Sequence, residues 1–589
     1  MTQYAIGPRT RLFWIGSITP SGSFSTVLIP GGGGDLPYGS AALPTGMSWN
    51  YTEGGTRIVT GSPLSFSHSS VPAVTGTTRD ANSSASFASA LAASVDGDGI
   101  RITADFSVSS PVTLPNRSSS GGWVVIFTDR KASLDSAVPY DSDYITCTSA
   151  SRLENADTTL YRTITTTQSG AGAAITCTSG TAGYWIVGVK FTRTNNANDT
   201  IVDFGASGIS LESNLPNRLV LDRCVIDAAE KSKRCMTVNG KDILVSGSTI
   251  INAVSTPQGY SDSQAIAAWA AGKNVLIFNN ACSAESEIIA FGGDSPQVTN
   301  LQPGTNVAVI RNHLFKPSAW DSDVSYALKK NMFEHKTGSK CLWFGNVCDH
   351  YRSSSGGQFY QMMFTPTNQN NDASWQGIFD LNVVGNYFIN GTEGGILTIS
   401  AQGSSSNPNA GGARWTFAQN YQKHGSGDGQ SRIQILGSAT GQHSIANCHI
   451  EHNTFHCDEM WFVIENALSG VGNWTNFVCR NNANARSASF GPIFTSTTLN
   501  AAALDDHLGI GNWTFAKNAQ VSGGASWGAT LLGSPHNNLQ DTAANMFTNP
   551  GTSDYSAKVS GPLDNAATDG FDIGVDTNWI ENTLTVGVQ

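Results

Sequence analysis

Apolar residues recur in a fixed pattern ahead of asparagine along the second half of the chain. In each copy, apolar or cysteine side chains stand five and three positions before the asparagine. Eight copies follow one another, roughly 34 residues apart, as expected of a structural repeat. The copies are Val275/Ile277/Asn280, Val307/Val309/Asn312, Cys341/Trp343/Asn346, Leu381/Val383/Asn386, Trp415/Phe417/Asn420, Cys448/Ile450/Asn453, Phe477/Cys479/Asn482 and Trp513/Phe515/Asn518.

Alternation of apolar residues predicts a short strand, and asparagine tolerates the left-handed backbone of a bend. One strand pair cannot bury its face alone, so successive copies are expected to stack about 4.8 Å apart with like positions in line. The stacked asparagine amides would then hydrogen bond along the stack. Two earlier copies keep the strand but end in Cys224 and Ser248. The sequence therefore predicts an all-β fold, a parallel β-solenoid.

Several cysteines occupy the apolar positions of this repeat, and Trp343 does so as well. We expect them to stack in the interior as small buried hydrophobes rather than to form a redox or metal centre. A second column of strands is predicted after most asparagines, and its alternation would display Gln361 and Glu465 on an exposed surface. The predicted strands are 287–291, 359–365, 396–400, 432–436, 461–465 and 492–495.

The ends of the chain have a different character. Residues 1–80 are rich in Gly, Pro, Ser and Thr and are interpreted as an N-terminal arm. Residues 81–100 hold one predicted helix, Ser84–Val95, which would cap the open end of the core. The parallel β-helix is assigned to 101–555 and a C-terminal end segment to 556–589. In that segment Asp569, Asp572 and Asp576 are interpreted as end-cap turns.

Composition excludes several classes of partner. Of the 589 residues only 13% are charged, and the net charge is −11. An acidic chain of this kind is not expected to bind nucleic acid or an anionic membrane surface. No apolar run approaches the roughly 18 residues of a membrane span, and no apolar segment follows Arg9 and Arg11 as a signal peptide would require. We therefore expect a soluble protein that is not secreted.

Several segments together resemble the right-handed, single-stranded parallel β-helix proteins of the pectin-lyase-like family. They are Trp185–Thr192, Leu219–Ile226, Asp262–Trp269, Phe291–Asp294, Arg311–Trp320, Thr365–Gln369 and Thr568–Asp576. The resemblance covers about residues 80–580 and implies that fold. An unsecreted β-helix with a distinct N-terminal arm also resembles bacteriophage tailspikes, which are made in the host cytoplasm.

The tailspike resemblance implies a virion protein, usually a homotrimer, that is held to other virion or tail proteins through residues 1–80. Such a protein binds host surface polysaccharide, and its depolymerisation is an additional activity that the sequence leaves open. Two alternatives stand beside it: a non-catalytic structural or adhesive virion protein, and a bacterial polysaccharide lyase or hydrolase. If the chain is an enzyme, it is a depolymerase, and no cofactor is implied.

Glycan cleavage requires an acid and a base or nucleophile, which stacked strands supply on neighbouring coils. The densest polar group predicts Asp262, Glu287, Glu334 and Lys316 as catalytic candidates. Glu285-Ser-Glu287 resembles a calcium-binding segment of β-helix alginate lyases, but Phe291-Gly292-Gly293 stands where a basic residue is expected. The alternative reading is that these side chains hydrogen bond to turns and to one another.

Other side chains suggest glycan contacts. Gln264 and Glu285 belong to the same polar group, and Trp320 and Trp375 fall in loops where an indole could stack on a sugar ring. His449, Glu451, His452 and His456 form a histidine-rich cluster. Strand spacing does not make these four converge on a metal, so no metal site is predicted and we expect solvent-facing histidines beside a turn.

Overall fold

The computed structural model describes the greater part of the chain from residue 41 onward. The described ranges are 41–51, 57–64, 70–117, 121–141, 149–170, 172–206, 208–321, 323, 325–326, 329–351, 360–366, 373–391, 395–400, 411–423, 433–437, 445–456, 460–466, 474–486, 489–492, 499–523, 529–575 and 577–584. Residues 1–40 of the predicted arm, Asp576 and two of the ten cysteines lie outside these ranges.

The fold is a right-handed parallel β-helix, as the sequence predicted. Within the described ranges, three long sheets of parallel strands run the length of a solenoid. Each coil contributes one strand to each sheet in turn, as in Lys273–Phe278, Ala281–Ala284 and Glu287–Phe291. We call these sheets 1, 2 and 3 in that order. Stacking is required because a single coil buries too little apolar surface to be stable alone.

Sheet 1 has 14 described strands and carries the predicted repeat. Its strands are Thr78–Ala81, Gly99–Ile102, Val124–Thr128, Ala182–Val187, Asn217–Asp222, Lys241–Ser246, Lys273–Phe278, Thr305–Ile310, Gly338–Phe344, Gly377–Val384, Gly411–Ala418, Ile445–Glu451, Trp474–Arg480 and Trp513–Ala516.

Sheet 2 follows the asparagine turn and also has 14 described strands, most of them only two or three residues long. They are Phe106–Val108, Arg162–Thr166, Val189–Arg193, Val225–Asp227, Thr249–Ala253, Ala281–Ala284, His313–Phe315, Val347–Asp349, Tyr387–Ile389, Tyr421–Lys423, Thr454–Phe455, Ala483–Asn484, Ala519–Val521 and Leu539–Asp541.

Sheet 3 has 12 described strands and contains the predicted second column. Its strands are Val112–Leu114, Ile175–Cys177, Ala197–Asp203, Ser232–Thr237, Gln264–Ala268, Glu287–Phe291, Phe333–His335, Tyr360–Phe364, Gly395–Ser400, Ile433–Gly437, Met460–Asn466 and Ser489–Pro492.

Elements outside the three sheets are short. Two antiparallel hairpins pair Met47–Tyr51 with Arg57–Gly61 and Phe547–Asn549 with Asp554–Ala557. The described α-helices are Ser84–Ala93, Lys131–Ala137, Ala501–Leu508, Ala529–Leu532, Ala543–Met546 and Thr577–Leu584, and 3-10 turns occupy 149–151, 212–214, 256–258, 318–320 and 550–552. No described helix is long and apolar enough to cross a membrane.

The helix Ser84–Ala93 lies beside the first strands of the solenoid and agrees with the predicted one. Ser83 and Ser86 form a reciprocal capping box at its N-terminus, which satisfies backbone donors that the first turn leaves free. Phe87 and Leu91 are buried in the same core as the coil residues. The amphipathic pattern therefore covers apolar side chains at this end of the solenoid.

A ladder of buried asparagine amides joins the coils at the turn between sheets 1 and 2, which confirms the prediction. Asn386 Oδ1, for example, accepts from Asn346 Nδ2 at 2.9 Å and from the Asn346 backbone N–H at 3.0 Å. Asn386 Nδ2 donates to Asn420 Oδ1 at 2.9 Å. The left-handed residue is the one before each ladder asparagine, such as Asn279 or Arg311, so the predicted bend is correct but displaced by one position.

Cysteines and core aromatics lie where the repeat predicted them. The eight cysteines in the described ranges are all free and buried, and burial raises the pKa of Cys224 to about 12. Trp343 is fully buried and stacks on Phe333, with ring centroids 4.1 Å apart. The expected exposure of Gln361 is wrong, because this side chain is fully buried. The backbone N–H of Met332 donates to the backbone carbonyl of Gln361. The side chain of Glu465 is outside the described part.

The C-terminal segment lies along the solenoid rather than only across its end. Val575 N donates to Thr454 Oγ1 at 3.0 Å, and Lys423 Nζ lies 2.6 Å from Glu581 Oε1. Leu563, Ile573 and Ile580 pack with residues of several coils in one apolar cluster, which also contains Val347, Tyr387, Tyr421 and Ala519. The interpretation of this segment as end-cap turns is therefore incomplete.

Candidate functional site

A continuous polar network crosses the strands of sheet 3 near the middle of the chain. Arg234, Gln264 and Glu287 share one register position on three successive strands. Arg234 Nε donates to Gln264 Oε1 at 2.6 Å, and Gln264 Nε2 donates to Glu287 Oε2 at 2.8 Å. Because like positions of stacked strands are one strand spacing apart, the register brings these side chains together.

Lys330 joins this network from the loop before the next strand of sheet 3. Its Nζ lies 2.5 Å from Asp262 Oδ1 and 3.3 Å from Glu287 Oε1. Burial opposes the charge of Lys330, but Glu287 and Asp262 outweigh it and raise the lysine pKa. Three of the predicted residues, Asp262, Gln264 and Glu287, thus meet in one site, and Lys330 is a member that the sequence analysis missed.

Glu334 lies on the strand after Glu287 and occupies another register position. Ala267 and Ala290 hold that position on the two preceding strands, so their short side chains leave room beside the carboxylate. Glu334 Oε1 is 3.2 Å from Lys336 Nζ. The same lysine interacts electrostatically with Glu287. Two carboxylates on adjacent strands therefore lie beside two lysines, one from the loop before the second strand and one directly after that strand.

The two carboxylates differ in their proton affinity. Burial raises the pKa of Glu334 to about 7; Lys336 opposes this shift, and the negative charge of Glu287 reinforces it. Burial also acts to raise the pKa of Glu287, but Lys330 and Lys336 outweigh it and hold that pKa below its ordinary value. A pair of carboxyl groups with pKa values driven apart can supply an acid and a base at the same pH.

Trp269 and Lys233 border the network. The Arg234 guanidinium lies over the Trp269 ring, 4.3 Å from its centroid, and Lys233 Nζ donates to Ser261 Oγ at 3.0 Å. Trp269 is half-buried, so part of the indole is open to solvent. An aromatic ring beside charged groups on an open face is a common arrangement for holding a sugar.

Glu285 and Lys316 lie behind this face, in the turn between sheets 2 and 3. Glu285 Oε2 accepts from the backbone N–H groups of Ser255 and Thr256, at 2.7 and 2.9 Å. Lys316 Nζ donates to three backbone carbonyls, those of Ala284, Glu285 and Ser286, at 2.7–3.1 Å. Both side chains are fully enclosed, and burial lowers the pKa of Lys316 to about 7.

The two loop tryptophans proposed for glycan contact also lie apart from the network. Trp320 is only 3% exposed and stacks on Tyr326, with centroids 4.9 Å apart. Trp375 is half-buried in the turn before the strand Gly377–Val384, where its carbonyl accepts from Gln302 Nε2 at 3.2 Å. The structure therefore brings neither indole to Glu287.

The histidine-rich cluster is buried, so the expectation of solvent-facing histidines is wrong. His452 Nε2 lies 2.9 Å from Asp569 Oδ2, and His456 Nε2 lies 2.9 Å from Tyr555 OH. Both partners belong to the C-terminal part of the chain, which covers this edge of the solenoid. Among the described residues, no group of three or more His, Cys, Asp or Glu side chains is placed to hold a metal ion.

Comparisons with known proteins find similarity only among solved structures. No protein-family model matches the chain, and no curated protein does. A mannuronic acid specific polysaccharide family 6 lyase from human gut microbiota is similar at 10% identity over 87% of this chain and 99% of its own, with a TM-score of 0.43.

Two further structures match with lower TM-scores. The Dettilon tailspike protein matches at 9% identity over 77% of this chain and 64% of its own, with a TM-score of 0.29. The family 28 exopolygalacturonase of Yersinia enterocolitica matches at 9% identity over 72% and 81%, with a TM-score of 0.28. At identities and TM-scores this low, these likenesses say nothing about the chemistry of the side chains on sheet 3.

Proposed function

We propose that this protein binds a polysaccharide across sheet 3 and cleaves it by glycoside hydrolysis at Glu334 and Glu287. The observation that carries the proposal is the pair of carboxyl groups on adjacent strands whose pKa values are shifted in opposite directions. Glycosidases of the common kind use two such groups, one protonated and one ionised.

Glu334 is the general acid of this scheme. With a pKa of about 7 it holds a proton near neutral pH and donates it to the glycosidic oxygen as the bond to the anomeric carbon breaks. Glu287 stays ionised because Lys330 and Lys336 stabilise its negative charge. It either attacks the anomeric carbon or takes a proton from the attacking water, and both routes belong to the same class of reaction.

The outer members of the network are the groups that a polymer meets first. The side chains of Lys330 and Lys336 are each 18% exposed, whereas those of Glu287 and Glu334 are at most 4% exposed. Asp262 and Trp269 are more open than the two glutamates. A polymer bound across sheet 3 therefore contacts these more exposed side chains before it reaches the carboxyl pair.

The biological setting that we propose is a phage tailspike-like virion protein acting on host surface polysaccharide. The support is the resemblance to tailspikes described above, together with a long solenoid that can present sheet 3 to a polymer. In this setting the protein is a homotrimer, made in the host cytoplasm, and residues 1–80 attach it to other virion proteins. Light scattering of the purified protein tests the trimer. A particle mass of about 62 kDa, which is the mass of one chain, would rule out the trimer.

Hydrolysis is tested by incubating the protein with a panel of bacterial surface polysaccharides. Size-exclusion chromatography follows chain length, and ultraviolet absorbance follows unsaturated uronate. We expect the wild type to shorten the polymer without producing that absorbance. Glu334→Gln and Glu287→Gln should each lose the ability to shorten it. Glu212→Gln is the matched control, because Glu212 also pairs with a lysine, Lys273, at 2.8 Å but lies outside the network.

Other outcomes distinguish the alternatives. Shortening accompanied by unsaturated uronate would replace hydrolysis by β-elimination and make the protein a lyase. Retention of an intact polymer by wild type and by both glutamate variants would indicate an adhesive protein without catalysis. Full activity in Glu334→Gln would overturn the assignment of the acid.

A further inference from the structure

The long loop between the sheet 2 strand His313–Phe315 and the sheet 3 strand Phe333–His335 carries Lys330 into the site. The corresponding connection one coil earlier consists only of residues 285 and 286. Residues 322, 324, 327 and 328 of the loop lie outside the described part. A loop of this length needs fixed contacts if its last residues are to hold one position.

One such contact is an aromatic pair bound to a single carboxylate. Glu230 Oε1 accepts from Trp320 Nε1 at 3.2 Å, and Glu230 Oε2 accepts from Tyr326 OH at 2.8 Å. The two rings stack at 4.9 Å with an interplanar angle of 15°. We call Glu230, Trp320 and Tyr326 the loop clamp.

Glu230 itself is held firmly, so it can serve as an anchor. It follows the sheet 2 strand Val225–Asp227, three coils before His313–Phe315, and its backbone has a positive φ of 58°. Its N–H donates to Asn252 O, and its carbonyl accepts from Gln258 Nε2 at 2.8 Å. The loop therefore reaches back across the stack to a fixed turn. On the other side Asp321 Oδ2 lies 2.8 Å from His350 Nε2, on the coil that follows.

We infer that the loop clamp positions Lys330 between Asp262 and Glu287, and so makes Glu230, Trp320 and Tyr326 positioning residues for the acid–base site. The effect of the loop clamp on catalysis rests on the proposed function, whereas its effect on the position of Lys330 does not. With the clamp intact, Lys330 keeps Glu287 ionised; when the clamp is lost, the lysine spends less time at 3.3 Å from that carboxylate.

The positioning is measured without any substrate by the reactivity of individual lysines. Competitive acetylation of the full-length protein at limiting reagent, followed by peptide mass spectrometry, reports how readily each amine reacts. In Glu230→Gln we expect Lys330 to react several-fold faster than in wild type, while Lys273 at the distant Glu212 pair keeps its wild-type rate. Glu212→Gln is the reciprocal control, since it should accelerate Lys273 and leave Lys330 unchanged.

Conservative aromatic variants separate clamping from simple unfolding. Tyr326→Phe keeps the stacked ring and removes one hydrogen bond, so we expect an intermediate increase in Lys330 reactivity. Adding Tyr326→Phe to Glu230→Gln should give less than the sum of the two single increases, because both changes weaken the same contact. An unchanged Lys330 rate in Glu230→Gln and Tyr326→Phe, with the fold retained by circular dichroism, would overturn the inference.

The pH profile of cleavage tests the catalytic consequence. Loss of Lys330 from Glu287 raises the pKa of that carboxyl group, so the acidic limb of the rate profile should move to higher pH in Glu230→Gln. A structural defect alone would lower the rate at every pH without moving the limb. If Lys330 reactivity responds to the variants but the protein cleaves no polysaccharide, the loop clamp is supported and the proposed function is rejected.

Discussion

Replacement of Asn386 by leucine tests the amide ladder at mid-stack. Asn386 Oδ1 is the acceptor for the Asn346 backbone N–H at 3.0 Å and for Asn346 Nδ2 at 2.9 Å. In Asn386→Leu the Asn346 N–H loses this acceptor inside the protein, whereas Asn346 Nδ2 keeps its bond to Val309 O at 3.0 Å. One buried donor without a partner costs about 1–3 kcal/mol. The variant also loses two amide–amide bonds, with Asn346 and with Asn420, which add about 1 kcal/mol each.

The expected destabilisation is therefore about 3–5 kcal/mol, concentrated at the neighbouring coils. Because a solenoid loses stability locally, native-state hydrogen exchange is the suitable assay. We expect the Asn346 amide to exchange at least about tenfold faster in Asn386→Leu. Asn386→Ser should cost less, because Ser248 already fills a ladder position: its Oγ accepts from Cys224 N at 3.0 Å. Equal exchange in Asn386→Leu and wild type would refute the ladder argument.

Three further predictions concern single side chains. Folding raises the pKa of Glu334 from its ordinary value of 4.5 to about 7, so the folded protein binds this proton more tightly than the unfolded chain does. As the pH rises through this range, the free energy of unfolding should therefore fall by about 3 kcal/mol. Thermal melts at pH 4 and pH 8 should show this loss in the wild type and not in Glu334→Gln. Lys316→Met leaves three carbonyls without their lysine donor, and calorimetry should show a loss of at least about 2 kcal/mol. Asp569→Asn removes the charged partner of His452, so limited proteolysis should cut the C-terminal segment faster while the coils remain resistant.

The repeat predicted the architecture because every coil must present the same face to the core. The positions five and three before the ladder asparagines are core residues, and the predicted strand Glu287–Phe291 has the bounds that the structure shows. The final predicted strand of that column, 492–495, lies outside the described residues except for Pro492, the last residue of the described strand Ser489–Pro492. Its neighbour Met460–Asn466 pairs with it through an irregular register, which the sequence pattern does not reveal.

Short elements escaped the sequence analysis for a physical reason. A strand of three residues such as Val347–Asp349 is too brief to show a period of two, so sheet 2 was not recognised as a separate column. The ladder also extends beyond the eight predicted copies, because Asn538 Oδ1 accepts from Asn518 Nδ2 at 3.1 Å. Asn538 lacks the regular apolar spacing, and its backbone N–H and Nδ2 both donate to Leu531 O.

At the site, the sequence could identify residues that share a register but not those that arrive from loops. Gln264 and Glu287 were grouped correctly because they lie on stacked strands. Lys330 was missed, since its position depends on a long loop that the chain folds back over the stack. Glu285 and Lys316 resembled their neighbours in chemistry, yet the turn beside them uses their polar atoms for backbone groups.

A structure of the Glu334→Gln variant with an oligosaccharide from a polymer that the wild type binds would show where the scissile bond lies. We expect a sugar chain across sheet 3, with a glycosidic oxygen within hydrogen-bonding distance of residue 334 and an anomeric carbon facing Glu287. An oligosaccharide held on sheet 1 or sheet 2, or one that contacts sheet 3 without approaching either position, would contradict it.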